Sequence, residues 1–555
     1  MAPRAPIRRL ATHEVINQPA PLPEFNLYDG DAALRDGLHR EGAGWAEEPV
    51  RTLGAVAGQE ATQRLATQAN RYVPELRAFD PFGQRIDEVE FHPAYHELMR
   101  IGIDHEVHSI AWRGERHGGH VAHAALQYLM TQAEPGVCCP LAMTYAALPA
   151  LRHEPALAEQ WTPRILSTRY DPRFIPAAEK EGTTCGMAMT EKQGGSDVRS
   201  NTTRAEPLDN AAGGEFALWG HKWFCSAPMS DAFLTLANTE RGLTCFLVPR
   251  WTPDGERNRI HIQRLKDKLG NRSNASSEIE YHGAWAQRVG EEGRGVRTII
   301  EMVHHTRLDA SCAPAGLMRQ ALTHAAHHAS QRSAFGKLLL RQPLMRNVLA
   351  DMALECEAAT ALVLRVARSF DESGADPEAA AFGRIATAVM KYWINKRAPN
   401  LIYEAMECLG GAGYVEESIL PRLYREAPVN SIWEGSGNVI CLDVLRAMQR
   451  EPASVEALMS EIRQAQGADK RLDRASDGLA DLLRDRSIAE EDARRLVERI
   501  AVVLQAALLV RHAPMPVADA FCASRLVGDW GHTYGTLPSG MDLEAILQRA
   551  VPAQA

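Results

Sequence analysis

Residues Thr183 to Asp197 read Thr-Thr-Cys-Gly-Met-Ala-Met-Thr-Glu-Lys-Gln-Gly-Gly-Ser-Asp, and here the chain changes character. Upstream, residues 1–182 carry helix-compatible runs of Ala, Leu and Met over Thr62 to Leu76 and His120 to Leu151. Pro19, Pro21 and Pro23 predict an extended arm before them. Downstream, short apolar or alternating runs (Phe233 to Leu236, Thr244 to Val248, Glu278 to Tyr281) are separated by Gly, Asn, Asp and Pro, the pattern of antiparallel strands. Gly213-Gly214 and Asp254-Gly255 supply the turns. After Gly293-Arg294-Gly295 the spacing becomes helical. Ile299, Met302, Val303 and Thr306 begin one stripe; Leu344, Val348, Met352 and Glu355 a second; Ala381, Ile385, Val389 and Trp393 a third. A fourth helix follows Gly437, so a four-helix bundle is expected. The prediction is a mainly α chain with a β middle: a helical domain over 1–182, an antiparallel barrel-like domain over 183–292, a bundle over 293–450 and a helical extension over 451–555.

Composition narrows the function. A chain of 555 residues is too long for one core. Its 45% hydrophobic and 24% charged content is globular, and no apolar run approaches the ~18 residues of a membrane span. A net charge of −9 gives no bulk attraction to nucleic acid, so any basic surface has to be local. The cations are 52 Arg and 9 Lys, favouring bidentate grip of phosphate or carboxylate. Ten scattered cysteines with no Cys-x-x-Cys pair indicate neither zinc nor disulfides and suit a reducing cytoplasm. The leading segment, with Arg4, Arg8 and Arg9 before any acid, weakly resembles a transit peptide, but Pro3 and Pro6 interrupt its helix. No metal site is expected. His105 and His108 lack zinc-helix spacing, Gly118-Gly119 interrupts His117, His120 and His123, and the pairs at 304–305 and 327–328 each point to different helix faces.

Four segments could carry chemistry. In Met187 to Asp197, adjacent glycines allow close backbone approach to a flat ring or pyrophosphate, with Thr190 and Ser196 as hydroxyls. Alone, this could be a polar turn. His221 to Ser226 holds Trp223 and Phe224, which strand alternation sends to opposite faces and which by default are core. Arg332 to Lys337, with Gln342 beyond, sits between two long helices, where Arg332 could clamp a phosphate or lie in a solvated turn. Ser431 to Asn438 sets Glu434 between Trp433 and Gly-Ser-Gly, a setting for a base whose pKa desolvation would lift. The plainer alternative is a helix N-terminus capped by Ser436 or Asn438.

In this order and spacing, and with Leu409-Gly-Gly-Ala-Gly-Tyr414, the segments resemble the acyl-CoA dehydrogenase family from about residue 90 to 450. Asp267 to Ser277 and the extra helical tail are most similar to a branch associated with bacterial defence against alkylated DNA. The resemblance implies FAD between the β-domain and the bundle. Met187, Thr190, Gln193, Gly195 and Ser196 would line its ring and pyrophosphate. Phe224 and Ser226 stand where the family has Trp and Thr beside the flavin, and Trp433 where it has Tyr. Arg332, Phe335, Gly410 and Gly411 would reach the FAD of a neighbouring subunit in a homo-oligomer, most simply a tetramer. Ser436, Gly437 and Asn438 would hold the nucleotide end. Glu434 takes the catalytic-base position, removing an α-proton from an acyl thioester. Glu407 replaces a Gln that commonly contacts FAD. His304-His305-Thr306-Arg307 replaces Asp-x-x-Arg, so the coenzyme A site keeps Arg307 and loses its Asp, while Trp433 narrows the acyl pocket.

The resemblance also implies that the tail binds double-stranded DNA. Residues 451–555 hold eleven Arg and one Lys against sixteen carboxylates, so binding requires clustering. Arg446, Arg450, Arg494, Arg495, Arg499, Arg511 and Arg525 are the candidates, weighed against a solvated helix face on which Glu491, Asp492 and Glu498 alternate with them. The expected function is an FAD protein of the alkylation response that binds DNA, protects it or destroys alkylating agents, and keeps weak isovaleryl-CoA-type dehydrogenase activity. The alternatives are a catabolic short or branched-chain acyl-CoA dehydrogenase and a catalytically inert, flavin-stabilised DNA-binding protein.

Overall fold

The structure, a computed structural model, describes residues 6–114, 116–208, 214–484, 488–528 and 530–551. Pro3, Arg4 and Gly213 of the expected Gly-Gly turn lie outside these residues. The first part of the chain folds as helices α1 (Ala32–Arg40), α2 (Glu47–Ala57), α3 (Glu60–Arg71), α4 (Pro93–Asp104), α5 (Gly119–Ala133), α6 (Pro135–Leu151) and α7 (Pro155–Ile165). Every residue of α5 and α6 is buried, so these two helices form the floor on which the later elements pack. The expected helix over Thr62 to Leu76 is shorter, because α3 ends at Arg71. Leu76 belongs instead to a hairpin of β1 (Glu75–Phe79) and β2 (Arg85–Glu90). Pro74 breaks the helix, and Asp80 accepts the N–H groups of Phe82 and Gln84 to close the turn.

The β-region comprises β3 (Cys185–Ala188), β4 (Arg204–Pro207), β5 (Glu215–Ser226), β6 (Ala232–Thr239), β7 (Gly242–Pro249), β8 (Ile260–Leu265) and β9 (Ser276–Val289). The order runs β3-β6-β4-β5-β9-β7, and β7 pairs back onto β6, which curls the sheet into a closed ring. Most pairings are antiparallel as expected, but β3 and β4 each meet β6 in parallel. Alternating apolar positions such as Phe216, Leu218, Phe246 and Ile279 turn into the ring and are buried.

Four helices follow: α8 (Gly295–Gln331), α9 (Pro343–Glu372), α10 (Pro377–Leu409) and, after the short α11 (Gly411–Tyr414) and α12 (Leu420–Asn430), α13 (Gly437–Arg450). Most positions of the stripes named above are buried, while Val348 and Ala381 are half-buried and one residue is largely exposed. Leu344, in the first turn of α9, is 81% exposed because that turn projects beyond the bundle. Between α8 and α9, β10 (Ser333–Ala334) and β11 (Lys337–Leu338) make a two-residue hairpin. The proline-rich arm reaches it: Asn17 exchanges hydrogen bonds with Ser333, and Arg332 Nη1 donates to the Asn17 carbonyl at 2.5 Å.

The extension forms α14 (Pro452–Arg463), α15 (Lys470–Arg484), α16 (Ala493–His512), α17 (Met515–Arg525) and α18 (Leu543–Ala550). It is sewn to the bundle by buried polar bonds. Trp393 Nε1 donates to Gln505 Oε1 at 2.9 Å, and Glu461 accepts from both Arg365 and Arg511 at 2.6 Å. Among the described residues, no helix is long and apolar enough to cross a membrane.

Candidate functional site

Glu434 lies in the connection between α12 and α13 at φ +56°, a conformation that costs a non-glycine residue about a kilocalorie per mole or more. Neighbouring groups hold it there. Buried Lys391 of α10 donates from Nζ to the Trp433 carbonyl at 2.7 Å and to that of Gly435, bracketing the strained residue. Arg307 Nε donates to the Glu434 carbonyl at 3.1 Å, and its Nη1 pairs with Asp443 at 2.7 Å. Thr306 Oγ1 donates to Glu434 Oε2 at 2.7 Å. Burial pushes the Glu434 carboxyl above the usual range, while Thr306, Arg307 and Lys391 pull against the rise. The same burial, opposed by Glu434, brings Lys391 down to about 7. The arrangement is an acid–base group on a rigid mount. Of the alternatives for this segment, Ser436 does occupy the N-cap of α13, but its side chain makes no capping bond.

The loop after β3 is built around buried Glu191. Lys222 Nζ donates to it at 2.9 Å, and so do the backbone N–H groups of Thr202 and Thr203 and the Gln193 amide. Burial would raise its carboxyl, but Lys222 and these donors hold it at about 2. Gln193 is exposed, and its side-chain amide donates to Glu191 and to the Ser200 carbonyl. Gly195 and Ser196 remain exposed, and a Cβ at Gly195 would lie 2.9 Å from Thr190 Oγ1. Met187 and Thr190 are half-buried. The expected opposition of Trp223 and Phe224 is overturned by a bulge in β5 between Lys222 and Cys225. Both rings meet Lys266, whose Nζ lies 3.2 Å and 4.7 Å from their centroids. Phe224 stays 48% exposed, and Ser226 bonds Ser276 Oγ at 3.0 Å.

The residues expected to reach a neighbour lie at the surface. Phe335 is 100% exposed at φ +52°, and a Cβ on Gly410 (φ +61°) or Gly411 would meet nothing within 4 Å. Arg332 is held by the arm rather than free. Glu407 is exposed and accepts from Tyr403. Asn438 Oδ1 accepts from Arg494 Nε at 2.8 Å, and a Cβ on Gly437 would press on Lys396 and touch Arg494, so the extension touches the segment that carries Glu434.

The arginines proposed for DNA divide by environment. Arg525 is a correction: it is buried and paired with Asp351 and Glu355, which a phosphate contact would leave unpaired. Arg511 is tied to Glu461, Arg494 to Asn438 and Arg446 to Asp443. Arg450, Arg495 and Arg499 are exposed and form no ion pair among the described residues.

Several site residues carried no sequence signal of their own. Thr306 and Lys391 are ordinary helix positions, 128 and 42 or 44 residues away in sequence from the groups they bind. Asp443, which gathers Arg307, Arg384 and Arg446, is another. His304 lies flat on Phe370 at 4.5 Å, an apolar contact where the expected coenzyme A ligand was an Asp.

The donor set suits a flavin nucleotide. Open glycine backbone, the Ser196, Thr190 and Ser226 hydroxyls, an exposed Phe224 ring and a Trp433 indole N–H without an acceptor among the described residues supply what a flat, polar-edged ring and phosphates require.

Family models match over three spans. These are the adaptive response protein AidB N-terminal domain over residues 17–172, the acyl-CoA dehydrogenase middle domain over 186–284 and its C-terminal domain over 293–449. The putative acyl-CoA dehydrogenase AidB of Escherichia coli K12 is 47% identical over 513 residues, covering 92% of this chain and 94% of that one. Acyl-CoA dehydrogenase family member 11 of Caenorhabditis elegans is 31% identical, covering 81% and 78%. The crystal structure of Caenorhabditis elegans ACDH-11 in complex with C11-CoA matches with a TM-score of 0.84 at 28% identity, over 95% of both chains.

Proposed function

Since this chain belongs to the acyl-CoA dehydrogenase family, on the branch that carries the AidB N-terminal domain, we propose that Glu434 is the base of an FAD-dependent oxidoreductase acting on CH–CH bonds of an acyl thioester, housed in a protein that also binds duplex DNA. The observation that carries the chemistry is the mount of Glu434: positive φ, flanking carbonyls bracketed by Lys391, and Oε2 fixed by Thr306. A base held this way loses little entropy in reaching the α-proton. With Oε2 occupied by Thr306, Oε1 takes the proton. Lys391 and Arg307 favour the ionised carboxylate against the effect of burial, and half-buried Trp433 packs beside it on the apolar core. FAD, when bound, supplies the acceptor for the β-hydride. Met187, Thr190, Gly195, Ser196, Phe224, Ser226 and Trp433 would hold it, with Ser436, Gly437 and Asn438 at its nucleotide end and Arg332, Phe335, Gly410 and Gly411 reaching it from a second subunit of a homo-oligomer. The C11-CoA ligand of the Caenorhabditis elegans relative supports an acyl-CoA partner.

A DNA role in the alkylation response is supported by the adaptive-response N-terminal domain and by the free arginines Arg450, Arg495 and Arg499. Location in the cytoplasm follows from that role. Purified protein should be yellow or take up FAD, and anaerobic acyl-CoA should bleach it. It should also shift duplex DNA in a gel, with affinity falling as salt rises. A colourless protein that refuses FAD sinks the oxidoreductase reading. Absence of a shift at low salt sinks the DNA reading alone. The inward turn of Arg307 and the His304–Phe370 contact favour weak turnover over a catabolic role, because the groups expected to grip coenzyme A serve the bundle instead.

A further inference from the structure

Lys268 occupies the connection between β8 and β9, and its Nζ donates to the Asn274 carbonyl at 2.7 Å and to Ser276 Oγ at 3.0 Å. Ser276 Oγ lies 3.0 Å from Ser226 Oγ. Lys268 forms no ion pair with a carboxylate among the described residues. The titratable groups around it are Cys139 on α6, Glu426 on α12 and Glu134 before α6. An ammonium can only donate, so a lone pair of Ser276 is taken. Ser276 is buried, and among the described residues Ser226 is the remaining acceptor with which it forms a hydrogen bond. If Ser226 donated to Ser276 instead, the Ser276 O–H would be buried without an acceptor, at a cost of about 1–3 kcal/mol. The polarity of the chain is therefore fixed from Lys268 to Ser276 to Ser226, leaving the Ser226 O–H free to donate onward. Among the described residues the Cys139 thiol, a weak acceptor, stands beside it.

We infer that Lys268 is a positioning residue that, acting through Ser276, turns the Ser226 hydroxyl into an obligate hydrogen-bond donor to the flavin ring and so favours the more electron-rich, reduced ring. This rests on the reading that FAD lies against Ser226. Desolvation brings the Lys268 ammonium down to about 8, and the neutral amine above that pH can accept as well as donate, so the polarity of the chain is no longer fixed.

The test uses the full chain loaded with FAD. Flavin content is measured by absorbance, and the ratio of reduced to oxidised flavin is measured against a reference dye at pH 7. Lys268→Met and Ser276→Ala should each shift that ratio roughly tenfold toward oxidised, about 30 mV for a two-electron couple. The double variant should shift it no further, because one chain is broken in both cases. Ser276→Thr, which keeps the hydroxyl, should match the wild type, and the wild-type ratio should lose its advantage above pH 8. If Lys268→Met fails to hold FAD, Ser276→Ala decides alone. Flavin-replete Ser276→Ala or Lys268→Met with a wild-type ratio overturns the inference while leaving FAD binding intact. A wild type that binds no FAD overturns the underlying reading and this inference with it.

Discussion

At the scale of single residues, Glu434 carries the first prediction. Its carboxyl must be ionised to take a proton, and burial lifts its pKa. Bleaching by an acyl-CoA ester should therefore quicken as pH rises through that lifted value. Glu434→Gln should slow bleaching by about 10² to 10⁴ while leaving FAD bound, as stopped-flow absorbance would show. Lys391→Met removes a cation that lowers the Glu434 pKa, so the rise should move to higher pH. Lys391 also leaves a stability signature. Its pKa is about 7 folded against 10.5 unfolded, so between these values the unfolded chain binds more protons and stability increases with pH. Denaturant melts of Lys391→Met should lack that increase. Glu434 was legible in the sequence because Trp-Glu-Gly-Ser is a contiguous motif. Thr306 and Lys391 were not, since contacts between distant helices leave no local trace.

At the scale of elements, the loop after β3 depends on the Glu191–Lys222 pair, in which both side chains are fully buried. Glu191→Gln leaves an unpaired ammonium there and should cost about 3–5 kcal/mol in denaturant melts, with weakened FAD uptake. The contribution of Glu191 is present above the usual carboxylate pKa and is lost as pH falls through about 2. The β-region could be read from alternation and turn residues because strands with one buried face display their period. Two features escaped it. The bulge at Trp223 and Phe224 inverts the alternation that strand geometry predicts, and the β1–β2 hairpin mixes apolar with charged residues, as in Arg-Ile-Asp-Glu-Val-Glu. Its pairing rather than its pattern defines it.

For the whole molecule, the extension completes the bundle as well as offering arginines. Cutting the chain after Arg450 would bare Trp393 and strand Arg365, so the truncated protein should aggregate or melt well below the full chain. DNA binding should lose about two units of salt slope when Arg495 and Arg499 are both replaced by Ala, and none for Arg525→Ala if that variant folds. The order of helices, sheet and helices was plain from periodicity, whereas the inward turn of Arg525 was not, because charge and helical position are the same for a solvated arginine and a buried one. The clasp between Asn17 and the Ser333 turn has a practical bearing on chimeras. Grafting a relative's first 172 residues onto this body would import a foreign strap for the Phe335 promontory, so viable hybrids should need crossovers that exchange the strap and residues 331–342 together.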